Sequence, residues 1–598
     1  MKTLKSILLL SCFMVLSLFA AKQKPNVVLV ITDDQGYGDL SCHGNPVVKT
    51  PEIDKLHGES VRLTDFHVSP TCAPTRGALM SGHFTNRAGP WHTIMGRSFL
   101  FEGEKTLGGV FAENGYTSGM FGKWHLGDNY PFRPEDRGFT EVVRHGGGGV
   151  GQTPDAWDNA YFDDHYWHNG VLKPYEGYCT DVFFGEATRF IDESIAAKKP
   201  FFAYVATNAP HGPFVCPDKY WKPYLEELKK IGYKKPEALA IFFGMIANID
   251  ENVGKLRAHL EEKGVADNTI FIFMTDNGTA SGGRLFNAGM RGNKGAEFDG
   301  GHRVPFFVHW PEGKLEGGVD VDRLTAHIDV LPTLIELCGL QPLEDDYKVD
   351  GKSLVPLLEN PQAEWPERVL VTDSQRVRDP VKWKNCATMT DRWRLINGKG
   401  LYDIKADPGQ KTDLAKKHPE VVSELRAAYD AWWADISPVF ETDARIIVGN
   451  DAENPLELTA HDWLTENGIY PPWNQTAIRQ GLEVSGVWAI HVETAGKYKV
   501  SLRRWPATKD APINAELPEG AEVQGLDAYR NVPGVSIGAK QAGLEIAGKK
   551  LEKPVEGDAK SVDFELELEQ GDAYLGAWFL TGDEGKKVGA YYVDVEKL

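Results

Sequence analysis

One stretch sets a cysteine, a proline and an arginine at a spacing suited to chemistry: Cys72-Ala73-Pro74-Thr75-Arg76-Gly77-Ala78-Leu79-Met80-Ser81-Gly82. Pro74 suits the first turn of a helix, where a missing N–H costs nothing. Arg76 follows Cys72 by four residues, so a helix beginning here puts both on one face. A helix start offers free N–H groups and a partial positive charge. The spacing therefore predicts a cysteine facing a bound anion, with a guanidinium beside it. A cysteine alone before a helix is more often a buried structural residue.

Other candidate groups lie far away in sequence. Asp33 and Asp34 end one apolar run, and Asp276-Asn277-Gly278 ends another. Three carboxylates and an amide oxygen, without His or Cys, suit Ca2+ or Mg2+. Either pair alone would be turn chemistry; two pairs at one sheet edge favour a metal. Phe121-Gly122-Lys123-Trp124-His125-Leu126-Gly127 sets Lys123 and His125 two apart, on one face if the segment is extended. His211 follows a third apolar run, in Ala209-Pro210-His211-Gly212. Lys294 lies in a glycine-rich loop running from Arg291 to Pro305. Arg303 and Asp329 read as ion-pair or capping residues outside the site.

Cys-x-Pro-x-Arg-x-x-Leu-x-x-Gly, the GKWHLG segment around Lys123 and His125, and the loop around Lys294 resemble motifs of the type I sulfatases, in the alkaline phosphatase superfamily. The resemblance covers roughly residues 25–440. It implies that Cys72 is oxidised before folding to formylglycine, whose hydrated aldehyde is the nucleophile. It implies Ca2+ bound by Asp33, Asp34, Asp276 and Asn277 together with an oxygen of the modified Cys72. It places Arg76, Lys123, His125, His211 and Lys294 in the catalytic set. Lys123, His211 and Lys294 contact sulfate, His125 contacts the hydrate, and His211 serves the leaving-group side. Asp299 stands where the family commonly has Glu. A maturation enzyme that generates formylglycine is the implied partner. The implied reaction is hydrolysis of a sulfate ester.

Arg144–Gly149, the aromatic-rich Ala156–Gly170, and Gln375–Trp393 with Arg376, Arg378, Lys382, Trp383 and Lys384 are expected near the pocket. Trp and Tyr faces with Arg and Asp edges suit a sugar ring, so the expected substrate is a sulfated sugar or glycan. A phosphodiester or phosphonate hydrolase is the rival enzyme, but the ligands make only one metal site. A sulfoglycan-binding protein with a dead catalytic domain is the rival of another class, but every motif residue is intact.

The elements that must position these groups are legible too. Asn26–Thr32 (NVVLVIT), Thr269–Thr275 (TIFIFMT) and Pro200–Thr207 (PFFAYVAT) are continuous apolar runs, as expected of strands buried on both faces. Each ends in polar residues, at the sheet edge where open α/β folds bind ligands. Helical stretches at Gly108–Glu113, Thr180–Ala197 and Glu237–Lys263 alternate with them. The expected fold is α/β, an alkaline-phosphatase-like, mostly parallel sheet flanked by helices. Expected boundaries are a signal peptide at 1–21, the catalytic domain at 22–368, a small α+β subdomain at 369–440, and a β-sandwich at 441–598. The sandwich carries none of the motifs, so it is expected to aid polymer binding or stability and not bond cleavage.

Composition bounds the rest. The chain has 598 residues, enough for more than one domain, and a formal net charge of −20, which argues against nucleic acid as a partner. Any anion site must then be a local positive pocket. Seven cysteines, widely spaced, form neither a disulfide framework nor a zinc cluster. Lys2, Lys5 and the apolar run Ile7–Phe19, followed by Ala20-Ala21, read as a secretory signal too short to span a bilayer. Export to the periplasm or beyond is expected, without stable membrane insertion. A lipoprotein anchored at Cys12 is the weaker option.

Overall fold

The computed structural model describes residues 24–598, apart from 345, 374, 527, 583 and 584. The expected signal peptide and Cys12 lie outside the described residues. Among the described residues no helix is long and apolar enough to cross a membrane.

The three apolar runs form neighbouring parallel strands. Asn26–Thr32 lies between Thr269–Thr275 and Phe201–Ala206. Thr117–Gly122 and then Glu141–Arg144 continue the parallel order beyond Phe201–Ala206. Phe306–His309 pairs antiparallel on the other side, and among the described residues the sheet has ten strands. Alternate side chains feed two cores. Val27, Leu29 and Ile31 pack on one face with Tyr204 and Ile272. Val28 and Val30 pack on the other with Val205 and Phe273. A strand buried on both faces has no polar side to show, which is why these sequences read as unbroken apolar runs.

Helices Cys179–Ala196 and Glu237–Glu262 cover the second face. Helix Cys72–Ser81 is buried along its whole length. It starts at Cys72, as the proline spacing predicts, and ends at Gly82, whose φ of 72° permits the left-handed cap. Gly77 has no room for a side chain, because a Cβ there would stand 2.3 Å from Pro90 Cγ.

A four-stranded antiparallel sheet, Leu370–Asp373, Cys386–Met389, Trp393–Ile396 and Gly400–Asp403, follows with helix Pro419–Ile436. Two further antiparallel-rich sheets close the chain, one of six strands and one of four. Gly571–Thr581 and Ala539–Ile546 run through the first; Gly496–Arg503 and Tyr592–Lys597 run through the second. Val500, Phe564, Trp488 and Phe579 fill the core between them, the sandwich that their period-two alternation predicts. That core also takes in Phe99 and Phe132 from the α/β part. The sandwich is therefore welded to the loops that rise from the parallel sheet.

Candidate active site

Strand order brings the separate motifs to one edge. Asp33 and Asp34 leave the central strand, Asp276 and Asn277 leave its neighbour, and Lys123 follows Thr117–Gly122. Helix Cys72–Ser81 lies over this edge. Single ligand atoms of Asp33, Cys72 and Asp276 all fall within 4.8 Å of one another, and all three residues are buried.

Three cations meet three carboxylates here. Lys123 Nζ donates to Asp33 Oδ2 at 2.5 Å. Arg76 Nη2 donates to Asp276 Oδ2 at 3.0 Å and Nη1 to the Lys123 carbonyl at 2.9 Å. Lys294 Nζ lies 2.7 Å from Asp34 Oδ2 and 2.6 Å from Oδ1. Asn277 Nδ2 donates to Asp34 Oδ1 at 2.9 Å. Burial works to raise the Asp34 pKa, but Lys294, His211 and Lys123 outweigh it and hold the carboxyl well below the usual range. Asp276 is pushed up to about 7 by burial and by the neighbouring Asp33.

The donor set fits a hard cation. Asp33 Oδ1 and Asn277 Oδ1 are buried oxygens with no hydrogen-bond partner. Buried acceptors are seldom left so, and two facing a carboxylate cluster are what an oxygen-seeking divalent ion satisfies.

A cavity of about 320 Å3 opens over Cys72. His125, His211 and Lys294 line it; Arg76 and Lys123 do not. Both are wholly buried behind the carboxylates. Arg76 therefore braces Asp276 from behind the cavity while its charge still acts on Cys72. Lys123 and His125 converge differently from the expectation. The segment is not extended there: Gly122 has φ 112° and His125 φ 62°, so the chain turns sharply between strand and loop. The glycines permit the turn, and Ala206 backbone leaves no room for a Cβ at Gly122.

The two histidines have defined tautomers. His125 Nε2 donates to the Thr93 carbonyl at 2.8 Å, so Nδ1 carries the lone pair. Nδ1 is buried without a partner, and burial, Lys123 and His461 hold the ring well below the ordinary imidazole range. It is a neutral proton acceptor in a cavity shared with Cys72. His211 Nδ1 donates to the Gly212 carbonyl at 2.6 Å, turning Nε2 toward Asp34 Oδ2 at 3.7 Å. Burial and Lys294 lower this ring to about 3.

The family model described as "Sulfatase" matches residues 25–340, and "N-sulphoglucosamine sulphohydrolase, C-terminal" matches 293–431. The chain belongs to the sulfatase family. It is 29% identical over 365 residues to N-acetylgalactosamine-6-sulfatase of Canis lupus familiaris, covering 56% of this chain and 66%, just under two thirds, of that one. It is 27% identical over 497 residues to the uncharacterized sulfatase YdeN of Escherichia coli K12, covering 68% and 85%. Among solved structures it resembles Ps i-CgsB, crystallised in complex with k-i-k-neocarrahexaose, with a TM-score of 0.62 and 28% identity over 69% of this chain and 93% of that chain. The chain has the α/β fold expected of it.

Several expected pocket residues lie elsewhere. Arg144 is buried against Asp128 at 3.0 Å. Gly148 and Gly149 of the same segment do reach the site, packing on His125 and His211. In Ala156–Gly170, Trp157 packs on Trp505 with ring centroids 5.3 Å apart, and Arg479 pairs with Asp158, so the stretch seams the α/β part to the sandwich. Trp383 stacks on Tyr429 at 3.7 Å and Lys382 pairs with Asp430 at 2.6 Å. Of the Gln375–Trp393 set only Arg376 lines the cavity. Arg303 and Asp329 hold structural partners, the Thr64 carbonyl at 2.7 Å and Arg368 at 2.8 Å.

The cavity also takes His92, Thr93, Ile94, Gln152, Tyr470 and Trp473, which sequence reasoning missed. Tyr470 and Trp473 lie beyond residue 440, so that part of the chain does reach the site. No motif marks these residues. A wall built from three distant loops has no spacing to read.

Proposed function

We propose that this protein hydrolyses sulfate esters of carbohydrates, with Cys72 matured to formylglycine and Ca2+ held by Asp33, Asp34, Asp276 and Asn277. One observation carries the reading. Cys72 lies within 4.8 Å of two buried carboxylates and opens on a cavity lined by His125, His211 and Lys294. The sulfated-glycan context of its relatives supports the substrate class. N-acetylgalactosamine-6-sulfatase is named for an amino sugar, and Ps i-CgsB was crystallised with a neocarrahexaose. Residues 22–368 would form the catalytic domain, 369–440 a subdomain and 441–598 the sandwich, with export directed by residues 1–21.

The residues divide the work by position. Lys294 holds a sulfate oxygen from the cavity side, and Lys123 acts through Asp33 from behind it. Arg76 fixes the Asp276 carboxylate. A Ca2+ held by Asp33, Asp34, Asp276 and Asn277 would add positive charge where the three ion pairs alone leave the cluster neutral. A hydrated aldehyde at residue 72 would offer two hydroxyls on one carbon, one able to displace the alcohol from sulfur and one whose deprotonation would release sulfate; a thiolate offers no second hydroxyl. His125 Nδ1 is the acceptor for that proton, because its Nε2 proton is committed to Thr93. His211 stands on the leaving-group side, where Nε2 must gain a proton before it can donate one. A bound sulfate beside it favours that gain.

The panel that tests the proposal is sulfate release from defined sulfated mono- and oligosaccharides, with 4-nitrophenyl sulfate and 4-nitrophenyl phosphate alongside. Sulfated sugars should be the best substrates; phosphate ester turnover without sulfate release would favour the phosphodiester or phosphonate reading. His211→Ala separates its roles. General acids contribute roughly 10² to 10⁴ in rate when the leaving oxygen needs a proton. The variant should lose about that much on a sugar sulfate and far less on 4-nitrophenyl sulfate. Equal losses on both would assign His211 to sulfate positioning.

A further inference from the structure

The cavity wall opposite Cys72 is built from three loops that the catalytic motifs do not include. His92 comes from the loop after the Cys72–Ser81 helix, Gln152 from the loop after Glu141–Arg144, and Tyr470 and Trp473 from the sandwich end of the chain. Arg376 completes it from the edge of the four-stranded sheet.

The loops are fixed to one another by backbone bonds. Met95 N donates to the His461 carbonyl at 3.1 Å, and Thr153 N donates to the Trp473 carbonyl at 3.0 Å. Arg378 N donates to Asn467 Oδ1 at 2.9 Å. The wall is thus a built surface whose sandwich-side members cannot drift from the catalytic side.

Its chemistry is that of a sugar site. His92 Nδ1 accepts the N–H groups of Thr93 at 2.6 Å and Ile94 at 3.2 Å, so Nε2 carries the proton. His92 is 1% exposed, and the Arg376 backbone lies against its ring, which ties the His92 loop to the Arg376 loop at the cavity wall. Gln152 Oε1 is held by Gly148 N at 2.9 Å, which leaves its NH2 as a donor. Tyr470 is 49% exposed at the cavity, its ring 6.3 Å from that of His92, and Trp473 is braced edge-on by Tyr529 at 5.7 Å. Aromatic faces beside a fixed donor suit a ring with apolar C–H faces and a hydroxylated rim. Arg376 is exposed, with its Nη2 3.7 Å from the position of a Cβ on Gly295, next to Lys294. A second cation beside the sulfate-holding lysine suits a second anionic group.

We propose that His92, Gln152, Arg376, Tyr470 and Trp473 form the subsite for the sugar that bears the scissile sulfate, and that this sugar or its neighbour carries a second anionic substituent held by Arg376. The inference rests on the sulfatase reading and adds that the sandwich contributes substrate specificity directly. A cavity of about 320 Å3 is small for a ligand site, so the subsite takes one ring and part of the next.

The test uses the full-length, matured chain. kcat and KM are measured on 4-nitrophenyl sulfate, a neutral monosulfated sugar, a disulfated sugar, and a monosulfated disaccharide with a uronate. Trp473→Ala and Tyr470→Ala should lower the ratio of sugar-sulfate to 4-nitrophenyl sulfate kcat/KM by roughly tenfold to a hundredfold, the scale of a buried aromatic anchor. Arg376→Ala should abolish the preference for the disulfated or the uronate substrate, whichever the parent prefers, and Arg376→Lys should restore part of it. Equal fractional losses on sugar and nitrophenyl sulfates would overturn the subsite, as would a parent enzyme indifferent to the second charge. Calorimetric binding of the same sugars to the Cys72→Ala protein reads the subsite without turnover. If the parent releases sulfate from no sugar while Trp473→Ala still weakens binding about tenfold, the subsite stands and the reaction is wrong.

Discussion

Cys72→Ala protein should bind sulfated substrate and fail to turn it over. Removing a nucleophile costs on the order of 10⁴ to 10⁶ in kcat in enzymes whose catalytic groups act as a unit. Here the rest of the pocket survives the change. Lys294 keeps both contacts to Asp34, and the Asp33–Lys123 and Asp276–Arg76 pairs involve no atom of Cys72. The residue sits at the first position of its helix, where alanine is well tolerated. Sulfate release should therefore disappear while calorimetric affinity for a sulfated sugar stays within a few fold. Loss of both together would show that Cys72 holds the pocket's shape and say nothing of a nucleophile.

Asp276→Asn protein should lose calcium and most activity while remaining folded. The carboxylate is one of three in the cluster, and its Oδ1 also accepts the Asp34 backbone N–H at 3.0 Å. An amide can keep the bond from the Asp34 N–H through its one oxygen, but it sets an NH2 against Arg76 and removes a charge from the cation's shell. Lowered affinity should appear as substoichiometric calcium by elemental analysis, with activity down by at least about a hundredfold, the scale of lost electrostatic stabilisation. Asp276→Ala is a harsher change. It leaves Arg76 charged, wholly buried and unpaired, and breaking such a pair costs about 3–5 kcal/mol. The alanine variant should thus melt lower than the asparagine one. Full calcium in either variant would remove Asp276 from the ligand set.

Where the chemistry is concentrated, sequence was a good guide. Asn26–Thr32 and Thr269–Thr275 were readable because burial on both faces leaves no choice but apolar residues. The site groups follow these strands by one or two residues, so knowing the strands locates the cluster. The Cys72 helix was readable from Pro74 and Gly82 alone. Direction was harder. Arg76 shares a face with Cys72, but a carboxylate from a strand 200 residues away decides where its guanidinium points. Lys123 and His125 meet the site through a turn that period-two reasoning cannot anticipate. The aromatics of Ala156–Gly170 were visible as a set, but a set of aromatics suits a domain seam as well as a sugar site. The residues that do wall the cavity, Tyr470 and Trp473, sit in a segment with no motif.

The claim on which the rest depends is the chemical state of residue 72. Trypsin cuts after Arg62 and Arg76, so one peptide, Leu63–Arg76, carries it. Mass spectrometry of that peptide, taken from protein of known specific activity, is the direct measurement. The peptide from active enzyme should be lighter by the replacement of CH2SH with CHO, should react with a hydrazide or aminooxy probe, and should rise in proportion to specific activity across preparations. Protein made without a maturation enzyme should be folded, inactive and unmodified. Fully active enzyme with only an intact thiol at position 72 would contradict the account, and would leave the carboxylate cluster to act on water instead.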